Sequence, residues 1–359
     1  MNYELLGLTE IGGGHFLTAP WLGEKFANPH SSHKLGREAA AIVEMARDQV
    51  ASLLPKGGRV FFTCGATEAL NWALRGFGEG GIALAETEHA AVRDTAAWME
   101  RQGRAVAFLP VSSDGMVDVD APLPAGTRLV AVMQINNEIG VIQAIPELAE
   151  RARASGALFL CDAVQGFGRV PIADGPDMIA VSAHKIHGPK GIGALWVRDG
   201  VTLDPLLYGG GQEGGLRSGT LSPMLCAGFG AAAQCAAERM AADRTHVEAL
   251  WQSALAMLPA GWVINGSQDQ RYHGNLNIRF DGIDAGRLIS EVRGVAFSAG
   301  SACASGSGRP SHVLRALGLT DAQARSSIRL GFGRYTTQDD LKRALGLIFD
   351  AAAHQGNPV

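Results

Sequence analysis

MIAVSAHKIHGPKG, the sequence of residues 178–191, joins a strand pattern to a group of reactive side chains. The run from Met178 to Ser182 is short and apolar and is followed by polar residues, which predicts a buried strand. His184 and Lys185 come directly after it, where a rigid strand can hold them at the edge of a cleft. An amine in that position, beside a hydroxyl and an imidazole, suits covalent chemistry on a carbonyl compound. The alternative is a turn that only exposes Lys185 to solvent.

Apolar runs alternate with helical patterns on both sides of this segment. The further strand candidates are residues 60–62, 81–85, 105–109, 128–132, 157–161 and 193–197, the last as an antiparallel return, and helical patterns cover residues 36–54 and 145–155. Such alternation predicts an α/β fold with a mostly parallel central sheet sandwiched by helices.

The pattern changes near residue 241. A long helix, a strand pair near residues 275–280, a strand at 327–331 and a final helix predict a smaller α+β domain. We therefore place a large domain at residues 10–240 and a small domain at residues 241–359. Residues 1–9 are assigned to the small domain.

Two other segments carry groups that a bound coenzyme requires. Asp162 follows the apolar run 157–161, so a carboxylate also stands near the carboxyl end of a strand. The sequence FFTCGATEALN at residues 61–71 predicts a strand, a turn of small residues and a helix start. Backbone N–H groups at a helix start can cradle a phosphate, although a plain Thr67 N-cap is the alternative. Pyridoxal phosphate needs a lysine for its aldehyde and an acid for its ring nitrogen.

Seven short motifs stand in the order found in cysteine desulfurases. They are GATE at 65–68, TEH at 87–89, NNEIG at 136–140, DAVQ at 162–165, SAHK at 182–185, RSGT at 217–220 and SACAS at 301–305. From about Asn28 to Arg334 the chain therefore resembles the cysteine desulfurase family of class V aminotransferases, in the group with the longer Ser-Ala-Cys-containing loop. This resemblance implies the PLP-dependent transferase fold type I, the cofactor pyridoxal 5'-phosphate, the substrate L-cysteine and a homodimer.

The resemblance also implies roles for individual residues. Lys185 would form a Schiff base with the cofactor, Asp162 would pair with the ring nitrogen, and His89 would stack on the ring and exchange protons with the substrate. Further cofactor contacts are implied for Gly65, Ala66, Thr67, Asn137, Gln165, Ser182, His184 and, from the other subunit, Thr220. Substrate contacts are implied for Asn28, Asn137 and Arg329, whose guanidinium fork suits a carboxylate.

Cys303 lies in FSAGSACASGSGRP at residues 297–310, a segment rich in Gly and Ser. This composition predicts a mobile loop, in which a thiolate is accessible. The resemblance implies that Cys303 attacks the sulfur of L-cysteine, giving alanine and a persulfide that passes to an acceptor protein for iron–sulfur cluster or other thio-cofactor synthesis. Cys64, Cys161, Cys226 and Cys235 end apolar runs or lie in an Ala-rich helical stretch, so we expect small buried side chains.

Composition narrows the remaining classes of function. The 359 residues are 47% hydrophobic and carry a net charge of −4, which permits a large core and gives no electrostatic case for nucleic acid or an anionic membrane. Five cysteines without a disulfide-like framework, and no signal-peptide pattern, predict a cytoplasmic location. The pairs His30/His33 and His184/His187 lack further clustered ligands, so no metal site is expected.

Related outcomes stay open at this level. A selenocysteine lyase, an aminotransferase or an epimerase would use the same cofactor groups, but transamination and epimerisation need no mobile thiol. A catalytically impaired PLP-binding partner protein is a third interpretation, which the absence of the family's N-terminal Ala-Thr-Thr-Pro turn favours.

Overall fold

The strands predicted around Lys185 form the larger of two sheets. The structure is a computed structural model that describes residues 25–299 and 310–356. The strands of the larger sheet are β1 (Gly58–Thr63), β2 (Gly81–Ala85), β3 (Val106–Leu109), β4 (Thr127–Ala131), β5 (Leu158–Asp162), β6 (Met178–Ser182) and β7 (Gly193–Arg198). Their order is β1-β7-β6-β5-β4-β2-β3. Only β7 runs against its neighbours, as predicted, so the other strands of this sheet all end at the same edge.

Helices cover both faces of this sheet, which confirms the predicted α/β sandwich. They are α1 (Lys34–Ala51), α2 (Ala66–Gly76), α3 (Ala90–Arg101), α4 (Ile145–Ala154) and the first part of α5 (Pro223–Met257). Successive strand residues point to opposite faces. Ile179 therefore packs with α1, α4 and α5, while its neighbours Met178 and Ala180 pack with α2 and α3.

A second, antiparallel sheet lies in the C-terminal part of the chain. It has the order β10-β11-β9-β8 and consists of β8 (Val263–Ile264), β9 (Asn275–Arg279), β10 (Ser298–Ala299) and β11 (Ser327–Gly331). The short helices beside it are α6 (Ala285–Glu291), α7 (His312–Ala316) and α8 (Asp321–Arg325), followed by α9 (Gln338–Gly356). Trp251, Leu276 and Ile348 belong to the separate hydrophobic core of this part.

The long helix predicted near residue 241 is continuous with the Ala-rich helical stretch that contains Cys226 and Cys235. Ser222 caps α5 by accepting a hydrogen bond from the N–H of Leu225, and Pro223 occupies the first turn, where its missing N–H costs nothing. The helix then continues unbroken to Met257, so the division predicted at residues 240/241 falls inside it. The two-domain boundary remains a prediction.

Buried charges tie the glycine-rich segment 209–215 to β1. Arg47 donates to both carboxylate oxygens of Glu213 at 2.8 Å, and the N–H of Phe62 donates to the same carboxylate at 3.0 Å. Burial by itself lowers the pKa of Arg47, but the hydrogen bonds to Glu213 and Glu44 raise it more. Glu213 also has a left-handed backbone, with φ 51°, which is uncommon for a residue other than glycine. Its buried ion pair with Arg47 stabilises this conformation.

Within the two described ranges, no helix is both long and apolar enough to cross a membrane.

Candidate active site

A cavity of about 1790 Å³ opens where the parallel strands end. The predicted site residues that line it are Gly65, Ala66, Thr67, His89, Asn137, Asp162, Gln165, Ser182, His184, Lys185 and Arg329. They converge because segments far apart in sequence follow strands that end at one sheet edge. Asn28 and Thr220 do not line the cavity and are exposed in this chain. Cys303 lies outside the described residues, as do residues 300–309 of the loop predicted at 297–310; Ser298 and Ala299 of that stretch form β10.

Lys185 lies on a short 3₁₀ turn, Ala183–Ile186, that directly follows β6. His187 ends the turn in a left-handed conformation with φ 65°. Ser182 and His184 are joined by a hydrogen bond of 2.9 Å between Oγ and Nδ1. The backbone carbonyl of Lys185 accepts a hydrogen bond from Arg169 at 2.8 Å. The lysine is therefore placed by a strand end, a tight turn and a charged donor.

Asp162 is buried at the end of β5, and its Oδ1 accepts a hydrogen bond from the N–H of Val164 at 3.0 Å. Burial raises the pKa of Asp162, while the hydrogen bond from Val164 and the charges of His89 and Lys185 act in the opposite direction. The acid thus lies within electrostatic reach of both the amine and the imidazole. This arrangement suits a carboxylate that faces a cationic group of a ligand.

His89 has a defined tautomer when it is neutral. It is the N-cap of α3, and its Nδ1 accepts a hydrogen bond from the N–H of Ala91 at 3.1 Å. Because Nδ1 is an acceptor, the ring proton is assigned to Nε2. The helix cap therefore fixes the orientation of the ring and leaves Nε2 as the proton-bearing nitrogen.

The turn after β1 agrees with the predicted phosphate cradle and not with the alternative, a Thr67 N-cap. Helix α2 begins at Ala66, its N-cap is Gly65, and no side chain of the described residues caps it, so the Thr67 alternative was wrong. A Cβ on Gly193 would lie 2.8 Å from Cα of Gly65, which shows how closely β7 approaches this turn. The N–H groups of the first turn face the cavity end of β1, where an anion is favoured.

A neighbouring ion pair protects this helix end from its own acid. Glu68 lies in the first turn of α2 and accepts hydrogen bonds from Arg217 at 2.7 and 3.1 Å and from the N–H of Cys64 at 2.6 Å. Its pKa is lowered, because these hydrogen bonds outweigh the opposing effect of burial. Arg217 therefore compensates the carboxylate charge that would repel a phosphate.

Hydrogen bonds fix the predicted substrate arginine, Arg329, on one side of the cavity and the amide of Gln165 on the other. Arg329 extends from β11 and donates from Nη1 to the carbonyl of Asn137 at 2.7 Å. Asn275 donates to the same carbonyl at 3.1 Å. On the other side, Gln165 accepts from Arg169 at 2.7 Å through its Oε1, which directs the donor end of that amide elsewhere.

Arg169 is a site residue that the sequence analysis missed. It lines the cavity and contacts both Gln165 and the backbone of Lys185. Its ring contact with Tyr272, 5.6 Å from guanidinium carbon to ring centroid, crosses to the C-terminal part of the chain. No short sequence pattern indicated it, because residues 164–169 form turns rather than a helix.

Two buried acids beside the cavity were also missed. Glu88 is buried, its Oε1 accepts from the N–H of Met133 at 2.6 Å, and its Oε2 has no hydrogen-bond partner among the described residues. Burial and the neighbouring Asp162 raise the pKa of Glu88 well above its usual range. Burial also raises the pKa of Glu138 to about 7, against the opposing effects of Ser311 and Arg329. The motifs TEH and NNEIG contained both acids, but their burial depends on tertiary packing.

The prediction for the cysteines was wrong in part. Cys161 and Cys226 are buried, but Cys64 is exposed and lines the cavity, and Cys235 is half-buried against Arg334. A hydrogen bond to Glu68, together with burial, raises the pKa of the Cys64 thiol. Cys64 is consequently a poor source of thiolate.

Comparisons with known proteins agree with this geometry. The family model described as Aminotransferase class-V matches residues 19–344. A protein named cysteine desulfurase IscS from Colwellia psychrerythraea is 44% identical over 349 residues, which cover 92% of this chain and 86% of that protein. Cysteine desulfurase IscS of Rickettsia bellii is 41% identical over 348 residues, which cover 92% and 85%. A solved structure of a NifS-like protein aligns with a TM-score of 0.87 at 30% identity, covering 95% of each chain.

The raised pKa of Glu138 predicts a pH-dependent stability. A carboxyl group whose folded pKa exceeds its unfolded value stabilises the fold below the unfolded pKa, and this contribution is lost as pH rises through the folded pKa. From 4.5 to about 7, the shift corresponds to roughly 3 kcal/mol. Glu138→Gln should therefore gain up to about 3 kcal/mol relative to the wild type when the pH rises from about 5 to about 8. Urea denaturation of both proteins at each pH measures this; a difference that does not change with pH would contradict it.

Proposed function

The chain belongs to the class V aminotransferases, and we propose that within this family it is a PLP-dependent cysteine desulfurase. It converts L-cysteine to L-alanine and delivers the sulfur as a persulfide. The observation that carries the proposal is the convergence of Lys185, Asp162 and His89 in one cavity beside an uncapped helix start. The family match and the two cysteine desulfurases that are over 40% identical support the same activity.

The donor set fits pyridoxal 5'-phosphate. An amine and a buried carboxylate stand on adjacent strand ends, and both line the cavity with the first turn of α2. Lys185 would hold the aldehyde, Asp162 the protonated ring nitrogen, and the N–H groups after Gly65 the phosphate, with Ser182, His184 and Thr67 beside them. Burial raises the pKa of Asp162, and a protonated ring nitrogen beside it would favour the carboxylate form.

The side chains divide the chemistry between them. When bound, the cofactor supplies an electron-accepting ring that makes the substrate α-carbon acidic and weakens its carbon–sulfur bond. Lys185 would take the substrate α-proton at Nζ. His89 exchanges protons at Nε2, and Arg329 binds the substrate carboxylate through its guanidinium fork. Asn137 and Gln165 direct amide groups to the ring hydroxyl or the substrate.

Sulfur transfer needs no additional oxidant or reductant. The thiolate of Cys303 attacks the substrate sulfur, so that a sulfur–sulfur bond forms as the carbon–sulfur bond breaks. The electron pair of the broken bond stays with the carbon fragment, which takes up a proton and leaves as L-alanine. Cys303–SH and L-cysteine thus become Cys303–S–SH and L-alanine, with the enzyme sulfur oxidised and the carbon reduced.

We further propose a cytoplasmic homodimer in which Thr220 completes the cofactor site of the other subunit. Thr220 is exposed and lies away from the cavity of its own chain, as this arrangement requires. The Arg47–Glu213 and Arg217–Glu68 ion pairs fix the chain on the N-terminal side of Thr220. A protein that uses sulfur for iron–sulfur clusters or another thio-cofactor would accept the persulfide.

Replacing Lys185 tests the cofactor assignment. The purified wild type should show the visible absorbance of Schiff-base-bound pyridoxal phosphate, and Lys185→Ala should lose it because the covalent link at Nζ is gone. Lys190→Ala, which removes an exposed amine from the same cavity, is the matched control and should retain it. A wild type that stays colourless after reconstitution with the cofactor would refute the assignment.

Two cysteine variants identify the nucleophile. Cys303→Ser should keep the cofactor spectrum but lose sulfide release from L-cysteine, because serine cannot form a persulfide. Cys64→Ser should keep both, since the raised pKa of Cys64 disfavours its thiolate. Sulfide and alanine are assayed together in the presence of a reductant. The opposite pattern would assign the chemistry to Cys64.

Subunit complementation tests the composite site. Thr220→Ala should bind the cofactor about 10- to 100-fold more weakly, by the loss of one hydrogen bond to a charged phosphate. When Thr220→Ala and Lys185→Ala chains are mixed and refolded together, one site of each heterodimer regains both residues. Random assortment then restores about a quarter of the wild-type sites. No recovery, or an active monomer in sedimentation velocity, would contradict the arrangement.

A further inference from the structure

The first turn of α7 is attached to the segment that carries Asn137. Ser311, the N-cap of α7, is 3% exposed and donates from Oγ to Oε2 of Glu138, and it accepts from the N–H of Leu314 at 3.1 Å. Glu138 is itself fixed, because its N–H donates to Asn136 at 2.8 Å and its carbonyl accepts from Asn277 at 2.9 Å. One hydroxyl therefore serves both the helix cap and a buried carboxyl group.

The next residue makes a second, independent attachment. His312 lies 2.9 Å from the carbonyl of Glu88 through its Nε2. A carbonyl only accepts, so Nε2 is the proton-bearing nitrogen. Burial lowers the pKa of His312, and the hydrogen bond to Glu88 opposes this only in part, so the ring is a neutral donor. Glu88 directly precedes His89 in the sequence, and so the start of α7 is bonded to the residue next to that imidazole.

These attachments stand at one end of the segment that contains Cys303. Cys303 precedes Ser311 by eight residues. On the other side of that segment, Ser298 of β10 pairs with Arg329 of β11. The described chain on both sides of Cys303 is therefore bonded to segments that present candidate site residues.

We propose that Ser311 and His312 are positioning residues for sulfur transfer, because they fix the start of α7, eight residues after Cys303 in the sequence, to the segments carrying Asn137 and His89. This inference rests on the proposed cysteine desulfurase activity. A buried carboxyl group is unfavourable unless it is hydrogen-bonded, and the Ser311 hydroxyl supplies such a bond. Misplacement of a reacting group by even about 1 Å can slow a reaction by up to about 100-fold.

The alternative is that Ser311 only caps a helix, and the neighbouring helix offers a matched control. Thr320 caps α8 in the same way, by accepting from the N–H of Gln323, and forms a capping box with that residue. Both helices have five residues. Among the described residues the side chain of Thr320 hydrogen-bonds only to Gln323, so Thr320→Ala removes a cap alone.

The test compares Ser311→Ala, Ser311→Thr and Thr320→Ala as holoenzymes. The cofactor absorbance is followed after rapid mixing with L-cysteine to give the substrate dissociation constant, and mass spectrometry follows the persulfide on Cys303. We expect Ser311→Ala to bind L-cysteine within about twofold of the wild type but to form the persulfide about tenfold more slowly. Ser311→Thr restores the hydroxyl and the rate, and Thr320→Ala transfers sulfur at the wild-type rate.

The possible results distinguish a failure of the positioning role from a failure of the proposed desulfurase activity. Wild-type transfer by Ser311→Ala, with a melting temperature lowered as in Thr320→Ala, would overturn the positioning role and leave the desulfurase activity intact. A wild type that forms no persulfide would refute the activity and the positioning role with it. If Ser311→Ala does not fold, His312→Phe keeps an aromatic ring without the donor and is expected to slow transfer in the same way; its failure to do so would overturn the proposal.

Discussion

The direction of the strands in the large sheet is the constraint on which the site depends. Because β7 alone runs antiparallel, the ends of β1, β2, β4, β5 and β6 all reach one edge. Each strand is buried between two helical layers, so the residues that follow it have little freedom of position. Gly65, Asp162 and Lys185, separated by up to 120 residues in sequence, meet there without long loops. The antiparallel β7 adds the close approach at Gly193 that shapes the turn.

The two buried acids at this sheet edge, Glu88 and Asp162, have different charged surroundings. Glu88 and Asp162 raise each other's energy when both are charged, and both are buried. His89 and Lys185 act to lower the pKa of Asp162, whereas Glu88 is opposed in this way only by the N–H of Met133 and the charge of Arg93. The pKa of Glu88 is therefore raised well above its usual range, and for Asp162 the neighbouring charges oppose the effect of burial.

The strands and the central site residues could be predicted because their signals are local. A short apolar run followed by Asp162, or by Lys185, is visible in a few residues. The contacts that were missed join distant positions, as Glu138 and Ser311 do across 173 residues, and no short pattern reports such a pair. The continuity of α5 across residue 241 was missed, because a change in sequence pattern does not show whether the helix is interrupted there. Cys64 looked buried because it follows an apolar strand, but the turn that begins there faces the cavity.

The turn Asn136–Gly140 joins the two sheets through polar bonds and so sets the width of the site. Its carbonyls accept from Arg329 and Asn275 at Asn137 and from Asn277 at Glu138. These donors lie on or beside β9 and β11, so the arginine reaches the cavity at a separation from Asp162 that this turn determines. Apolar packing alone would allow the small sheet to slide, because it has no direction. Hydrogen bonds of fixed geometry do not allow this, so the position of the Arg329 guanidinium relative to the strand ends that carry Asp162 and Lys185 is fixed.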